Sequence, residues 1–502
     1  MTSGASEGGR SRPSGRENTG PQVRPATSVG QVWRRRAGWA VRGLGPPTVP
    51  IGVPGSGDDD VSQRHARAVL DLALRAGEAL LTTGGSAAEV VATVLRLTSA
   101  YGVPSTSVDI TYTSISVSIE RGLDQDSLAV LRVIKVRSPD YSRLEALQLL
   151  VDGITDRARA GQEPIPVDDA RERLDDLLRA PHPYRRWVVT LGYALMAAGV
   201  VILFGAAPGM WVVAALSATI VDRVQRRLHQ IGIAAFFRQA LSAAIPTAIA
   251  AGLFVLTSVG VDVPGLTSPS LLVVSGIIVL LAGLSVMGAA EDAIDGYYVT
   301  AGARGLEVLM LTLGIALGIS AVLALAGRFG VNMFVSSSVN LGGSPLTGTI
   351  GATIVALGFA LSTYTGVRAT GVSALLAALT WICFEALGPL GLGTAATVTV
   401  AAAVAGALGH LAHRTLHVPE LAVTTAAIVS LLPGLAVYRG LSQILQGSGQ
   451  LSGGALELIS ALGIALGLAA GLSIGAYAAR LRFGLDRAAI RARRQAVGGW
   501  QE

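Results

Sequence analysis

Between Trp187 and Arg480 the chain carries nine acidic and nine basic residues in 292 positions, while its remaining charge crowds into the first 187 residues and the tail. A stretch so long and so poor in charge does not suit a water-soluble domain, where about a quarter of residues are charged. It divides into hydrophobic segments at roughly 188–205, 209–222, 236–258, 270–289, 305–327, 348–365, 371–388, 393–409, 421–438 and 455–479. About 20 apolar residues cross a bilayer, so these are ten candidate spans, several of them short. Glycine supplies 62 of 502 residues, against a usual share of about 7%, and in apolar helices that excess suits close packing. The expected fold is an all-α polytopic membrane protein of about ten transmembrane helices with an N-terminal cytoplasmic α+β domain.

Residues 1–60, rich in Gly, Ser, Pro and Arg and ending in Asp58-Asp59-Asp60, read as a disordered tail. Within it Trp33, Arg34, Arg35, Arg36, Trp39 and Arg42 form a basic, aromatic cluster read as a solvated charge run. Residues 61–186 read as the α+β domain. Ala66, Val69, Leu70, Ala73, Leu74, Gly77, Leu80 and Leu81 recur at helical spacing until Gly84-Gly85. Ser86 with Glu89 three residues on forms a capping box that starts the next helix. Alternation over 107–112, 114–119 and 128–136 predicts three strands, and helices are expected near 141–160 and 167–179. Tyr184-Arg185-Arg186-Trp187 marks a membrane interface, and residues 481–502 form a basic cytoplasmic tail.

With a cytoplasmic N-terminus, the inside loops hold Arg223, Arg226, Arg227, Arg304, Arg368, Arg414, Arg480 and Arg482, and the outside loops only Arg328 and Arg439. This bias puts both termini in the cytoplasm of a multi-pass inner-membrane protein. The two halves, 187–327 and 328–480, also resemble each other. Val279-Leu-Leu-Ala-Gly-Leu set beside Ser430-Leu-Leu-Pro-Gly-Leu aligns Gly283 with Gly434, an offset of 151, and Leu313-Gly-Ile-Ala-Leu-Gly matches Leu462-Gly-Ile-Ala-Leu-Gly. Five spans per half is odd, so the copies are expected to be inverted repeats, an arrangement used by secondary transporters.

Several chemistries are excluded. Cys383 is the single cysteine, which rules out a disulfide framework. Lys135 is the single lysine and no Gly-Lys pair exists, so there is no P-loop. No His-Glu pair marks a zincin helix, and Gly471-Leu-Ser-Ile-Gly475 sits inside the last span, where no nucleophile elbow forms. It belongs to the series Gly463, Gly467, Gly471, Gly475, a smooth ridge for helix packing. His410, His413 and His417 are read as interfacial polarity rather than metal ligands, and the arginines as orientation signals rather than a nucleic-acid surface. No cofactor and no catalytic residue is expected.

Glu291, Asp292 and Asp295 follow the fourth span, with Arg304 and Glu307 close behind. Each acid would cost about 2.5–3.5 kcal/mol at mid-membrane, so the group belongs in a cytoplasmic loop or a wet cavity, where it would carry a proton or line the substrate path. The aligned positions of the second half are Ser442, Gln443 and Gln446, of which Ser442 and Gln443 are expected to bind substrate. Pro246-Thr247 in the third span and Pro433-Gly434 in the ninth are expected either to break the helices and free backbone groups for substrate or to kink them.

Thr83-Gly-Gly-Ser-Ala-Ala-Glu-Val-Val, Val108-Asp-Ile-Thr, Ser114-Ile-Ser-Val-Ser, Glu291-Asp292 with Gly296 and Ala303-Arg-Gly-Leu-Glu307, and Leu432-Pro-Gly-Leu-Ala-Val-Tyr438 together resemble the threonine/serine exporter family over about residues 65–480. The resemblance implies ten spans, a cytoplasmic N-terminal domain and proton-driven export of small hydroxy amino acids, so the expected partners are that substrate, the proton and the bilayer, with a homo-oligomer open. The alternatives are a membrane-anchored hydrolase acting through the N-terminal domain, and a sensor.

Overall fold

Apolar residues at helical spacing form the first helix, α1 (Gln63–Thr83), which buries Leu70, Leu74, Leu80 and Leu81. The computed structural model describes residues 63–103, 106–119, 127–134, 139–260, 269–280, 283–331, 344–445 and 451–483. The tail to residue 60, its Trp33 to Arg42 cluster, and residues 484–502 lie outside the described residues. Gly84, at φ +105°, turns the chain in a conformation that side chains rarely adopt. Helix α2 (Ala87–Ala100) follows, with the Ser86 hydroxyl accepting the Glu89 amide at 3.3 Å. No bond from the Ser86 amide back to Glu89 accompanies it; the Glu89 carboxylate accepts from Gln148 Nε2 at 3.1 Å.

Strands β1 (Thr106–Ile110), β2 (Ser114–Ile119) and β3 (Leu128–Val133) form an antiparallel meander in that order. Alternation along β2 buries Ile115, Val117 and Ile119; β2 and β3 pack on α1, and β1 on α2. Helices α3 (Tyr141–Arg159) and α4 (Val167–Arg179) complete the layer with Leu144, Ile154 and Leu174 in the same core.

The remainder is helical: α5 (Arg186–Leu203), α6 (Pro208–Gln230), α7 (Ala235–Ser258), α8 (Pro269–Leu280), α9 (Gly283–Ile294), α10 (Tyr298–Arg328), α11 (Pro345–Ser362), α12 (Val367–Leu387), α13 (Thr394–Leu416), α14 (Glu420–Ile428), α15 (Gly434–Leu445) and α16 (Leu451–Phe483). Among the described residues seven helices are long and apolar enough to cross a membrane: α5, α7, α10, α11, α12, α13 and α16. The pair α8 and α9, bent by 47° at its break, makes an eighth if counted as one span. Each expected segment falls mainly on described helix, but α6 is not among the helices apolar enough to span: Asp222, Arg223, Arg226 and Arg227 lie along its second half. In the expected ninth span, α14 and α15 are each short pieces separated by the 3-10 turn Val429–Leu431.

The helix packings of the two halves correspond. α5 packs on α11; α7 on α10 as α13 on α16; α5 on α6 as α11 on α12; α9 on α10 as α15 on α16; and α9 on α16 as α10 on α15. Small residues allow the closest approaches. A Cβ at Gly314 would lie 2.7 Å from the Phe236 carbonyl oxygen and one at Gly318 would strike that of Ala240, while in the other half Gly471 and Gly475 press on the backbone of Thr399 and Ala403. The glycine series is therefore a helix-packing ridge, as its spacing predicts.

Candidate functional site at the domain junction

The Gly84-Gly85-Ser86-Ala87 turn of the α+β domain rests on the end of α9 and the start of α10. Asp292, in the last turn of α9, is fully buried. Its Oδ1 accepts the Ala87 amide at 2.9 Å, and its Oδ2 lies 3.1 Å from Arg304 Nε. Arg304 Nη2 in turn donates to the Gly85 carbonyl at 2.9 Å. The carboxylate thus faces the first amides of α2, where the helix dipole favours a negative charge, and each buried ion is the other's counter-charge. Gly288 leaves the room for this, since a Cβ there would strike Arg304 Nη1.

Around this pair the domain makes further contacts. Tyr112, in the β1–β2 turn, donates its hydroxyl to Glu307 on α10, and Thr300 Oγ1 reaches the Ile110 carbonyl at 3.5 Å. At the start of α3 the Tyr141 amide donates to Thr363 O at 3.0 Å, between α11 and α12. Tyr364, at φ 57°, stacks on His182 at 4.3 Å between ring centres, and His182 Nδ1 lies 2.7 Å from the buried carboxylate of Asp140. The Tyr184 hydroxyl donates to Thr365 O at 2.9 Å.

The five ionisable site residues expected from sequence are brought together here, although not as one solvated loop. Asp292 and Arg304 are a buried pair that holds the domain. Glu307 is engaged by Tyr112. Glu291 stands at the end of α9 within reach of the charges of Asp295, Asp292, Glu89 and Arg304. Asp295, in the turn between α9 and α10, has its carboxyl pushed above the usual range by burial and by the negative charge of Asp292. The four helix-break residues divide. α7 runs without interruption through Pro246, against whose ring Gly276 packs, and Thr247 Oγ1 donates back to Ala243 O at 2.8 Å. Proline there removes one ladder amide, yet the helix continues through it and no backbone break forms. At Pro433 the chain does leave the helix: the 3-10 turn ends at Leu431 and α15 begins at Gly434. Ser442 and Gln443 both lie in α15.

Other polar groups were not legible as site residues. Glu89, on α2, is surrounded by Gln148, Arg96, Glu420 and Arg480, and burial holds its carboxyl above the ordinary range. His410 Nδ1 pairs with Glu420 at 3.0 Å, and Arg480 reaches the same carboxylate at 3.2 Å. His413 turns to the Val418 carbonyl, and His417 caps α13 in a left-handed conformation, so the three histidines do not converge. Among the described residues no group of three His, Cys, Asp or Glu side chains could hold a metal ion. Asp222, buried in α6, accepts from Thr190 at 2.7 Å and from Arg226 at 2.6 Å. The spacing of Asp222 and Arg226, four residues apart on one helix face, was a readable signal for that pair.

Two family models of threonine/serine exporters match the chain, one over residues 71–326 and the other over 348–477. A Mycobacterium tuberculosis protein described as a probable threonine/serine exporter is 34% identical over 465 residues, covering 90% of this chain and 84% of the relative. A Corynebacterium glutamicum threonine/serine exporter is 30% identical over 405 residues, 79% of each chain. No solved structure matches. The glycine turn, the Asp292–Arg304 pair it docks on and the Pro433 break all fall within these matches, and the chain belongs to the threonine/serine exporter family.

Proposed function

We propose that the protein is a secondary active exporter that carries threonine and serine out across the bacterial inner membrane, driven by the proton motive force. The observation that carries this reading is the similarity to named threonine/serine exporters along 90% of the chain, joined to seven helices apolar enough to span a membrane. We read the chain as a tail over 1–60, a cytoplasmic domain over 61–186, two five-helix inverted repeats over 187–327 and 328–480, and a basic tail over 481–502. Two facts support the repeat. Helices α9 and α15 are both 12 residues long and begin at the aligned Gly283 and Gly434, and the packings named above persist when the halves are exchanged. The cytoplasmic side is argued from its arginines and from the polar domain docked on the helix ends near 292–307 and 363–365.

One proton moving down 100 mV releases about 2.3 kcal/mol, enough to hold a roughly fiftyfold gradient of a neutral solute at 1.36 kcal/mol per decade. A single carboxylate that binds and releases a proton therefore suffices. Glu291 and Asp295 are the better carriers, because Asp292 is committed to Arg304 and the Ala87 amide. Broken backbone at Pro433-Gly434 is the favoured place for substrate. The test is threonine uptake into inside-out vesicles with and without a proton gradient. Asp295→Asn and Glu291→Gln should keep threonine exchange and lose gradient-driven accumulation; accumulation equal to the parent in both would refute the assignment.

A second reading, hydrolysis by the N-terminal domain, draws on a cavity of about 190 Å³ lined by Thr82, Thr83, Asp140, Arg143 and His182. The Thr82 and Thr83 hydroxyls donate to backbone carbonyls of α1 rather than to His182, which disfavours it. Ester turnover by the full chain that His182→Ala abolishes would support this reading.

A further inference from the structure

Arg439 was assigned from sequence to an outside loop, yet it lies in the middle of α15, six residues past Pro433. Its Nε is shielded from water and has no hydrogen-bond partner. Neither Glu457 on the adjoining α16 nor any other described carboxylate forms an ion pair with it. A guanidinium shielded from water is costly unless a counter-charge joins it.

The first half shows what that counter-charge replaces. At the offset of 151 set by Gly283 and Gly434, Arg439 aligns with Gly288 and Gln443 with Asp292. In the first half the Arg304 guanidinium lies over Gly288 and pairs with Asp292. In the second half α15 itself supplies the guanidinium, from the residue aligned with Gly288, and the residue aligned with Asp292 is an amide. The carboxylate of the first half therefore has no equivalent in the second.

We propose that Arg439 binds the α-carboxylate of the transported amino acid, which takes the place that Asp292 fills in the other half. This rests on the exporter reading above. The planar fork of arginine binds a carboxylate through two parallel N–H bonds, which lysine cannot reproduce, and the chain leaves the helix nearby, at Pro433.

The test measures threonine counterflow in proteoliposomes holding the full chain, with threoninol, which lacks the carboxylate, as competitor. In the parent, threoninol should compete poorly. Arg439→Gln should raise the threonine KM roughly tenfold to a hundredfold, as expected for losing hydrogen bonds to a charged group, and bring threonine and threoninol to similar affinity. Arg439→Lys should lie between. Gln443→Glu places a carboxylate one helical turn from Arg439 and should raise KM with the maximal rate retained, because the internal acid competes with the substrate's. Parental KM and selectivity in Arg439→Gln would overturn the proposal; if that variant does not fold, a parental KM in Gln443→Glu would overturn it. A parent that moves no threonine would overturn the exporter reading and this proposal with it.

Discussion

Removing one member of the Asp292–Arg304 pair should undock the N-terminal domain. The Asp292 side chain is wholly buried and that of Arg304 is 6% exposed, with 3.1 Å between Oδ2 and Nε. Replacing Asp292 by Asn leaves a buried guanidinium that still donates to the Gly85 carbonyl but has lost its counter-charge. Breaking a buried pair in this way costs about 3–5 kcal/mol, and Arg304→Met should cost as much, because it leaves the buried carboxylate without its counter-charge. Replacing both, as Asp292→Leu with Arg304→Met, removes two buried charges together. Such exchanges are near neutral or stabilising, and here they also forfeit the bonds to Ala87 and Gly85, at about 0.5–1.5 kcal/mol each. The double variant should therefore lose about 1–3 kcal/mol, less than either single one. Chemical unfolding in mixed micelles gives the cycle, and protease cleavage near Gly84-Gly85 reports undocking. Additive losses, or an Asp292→Asn protein as stable and as resistant to cleavage as the parent, would refute the reasoning.

Glu89 predicts a pH dependence. Burial raises its carboxyl above the ordinary glutamate range, so its contribution to stability is fully present below the ordinary value of about 4.3 and is lost as pH rises through the raised value; Glu89→Gln should flatten that part of the stability profile, and an unchanged slope would show that the group is solvated. Adding bulk at Gly471, where a Cβ would press on the backbone of Thr399, should cost about 1–3 kcal/mol through overpacking, so Gly471→Leu should unfold earlier in detergent while Gly453→Leu, on the partly exposed start of α16, should not. Single cysteines at positions 223–230, 290–304, 366–370 and 410–420 in a Cys383→Ala background should resist impermeant thiol reagents added outside intact cells, and strong external labelling at Arg368 would contradict the proposed orientation.

Much of this architecture is a property of local pattern. Helical spacing from Ala66 to Leu81, alternation in Ser114–Ile119 and the long charge-poor stretch are each set by whether consecutive side chains meet water, and the helices and strands form close to where that pattern puts them. A likeness between the halves was legible too, since Leu313-Gly-Ile-Ala-Leu-Gly recurs as Leu462-Gly-Ile-Ala-Leu-Gly. Local pattern could not say whether Pro246 breaks its helix, since a ring packed on Gly276 is tolerated within α7. Nor could it separate Asp292 from Glu291 and Asp295, which look equivalent in a run of acids. Their difference comes from groups 205 and 219 positions away along the chain, the Ala87 amide and the Gly85 carbonyl, which meet Asp292 and Arg304 only once the domain has docked. The cost of burying a charge depends on which partners the folded chain brings within about 3 Å, so the sequence could name the ionisable residues while only the tertiary structure could divide them between a structural pair and free carboxyls.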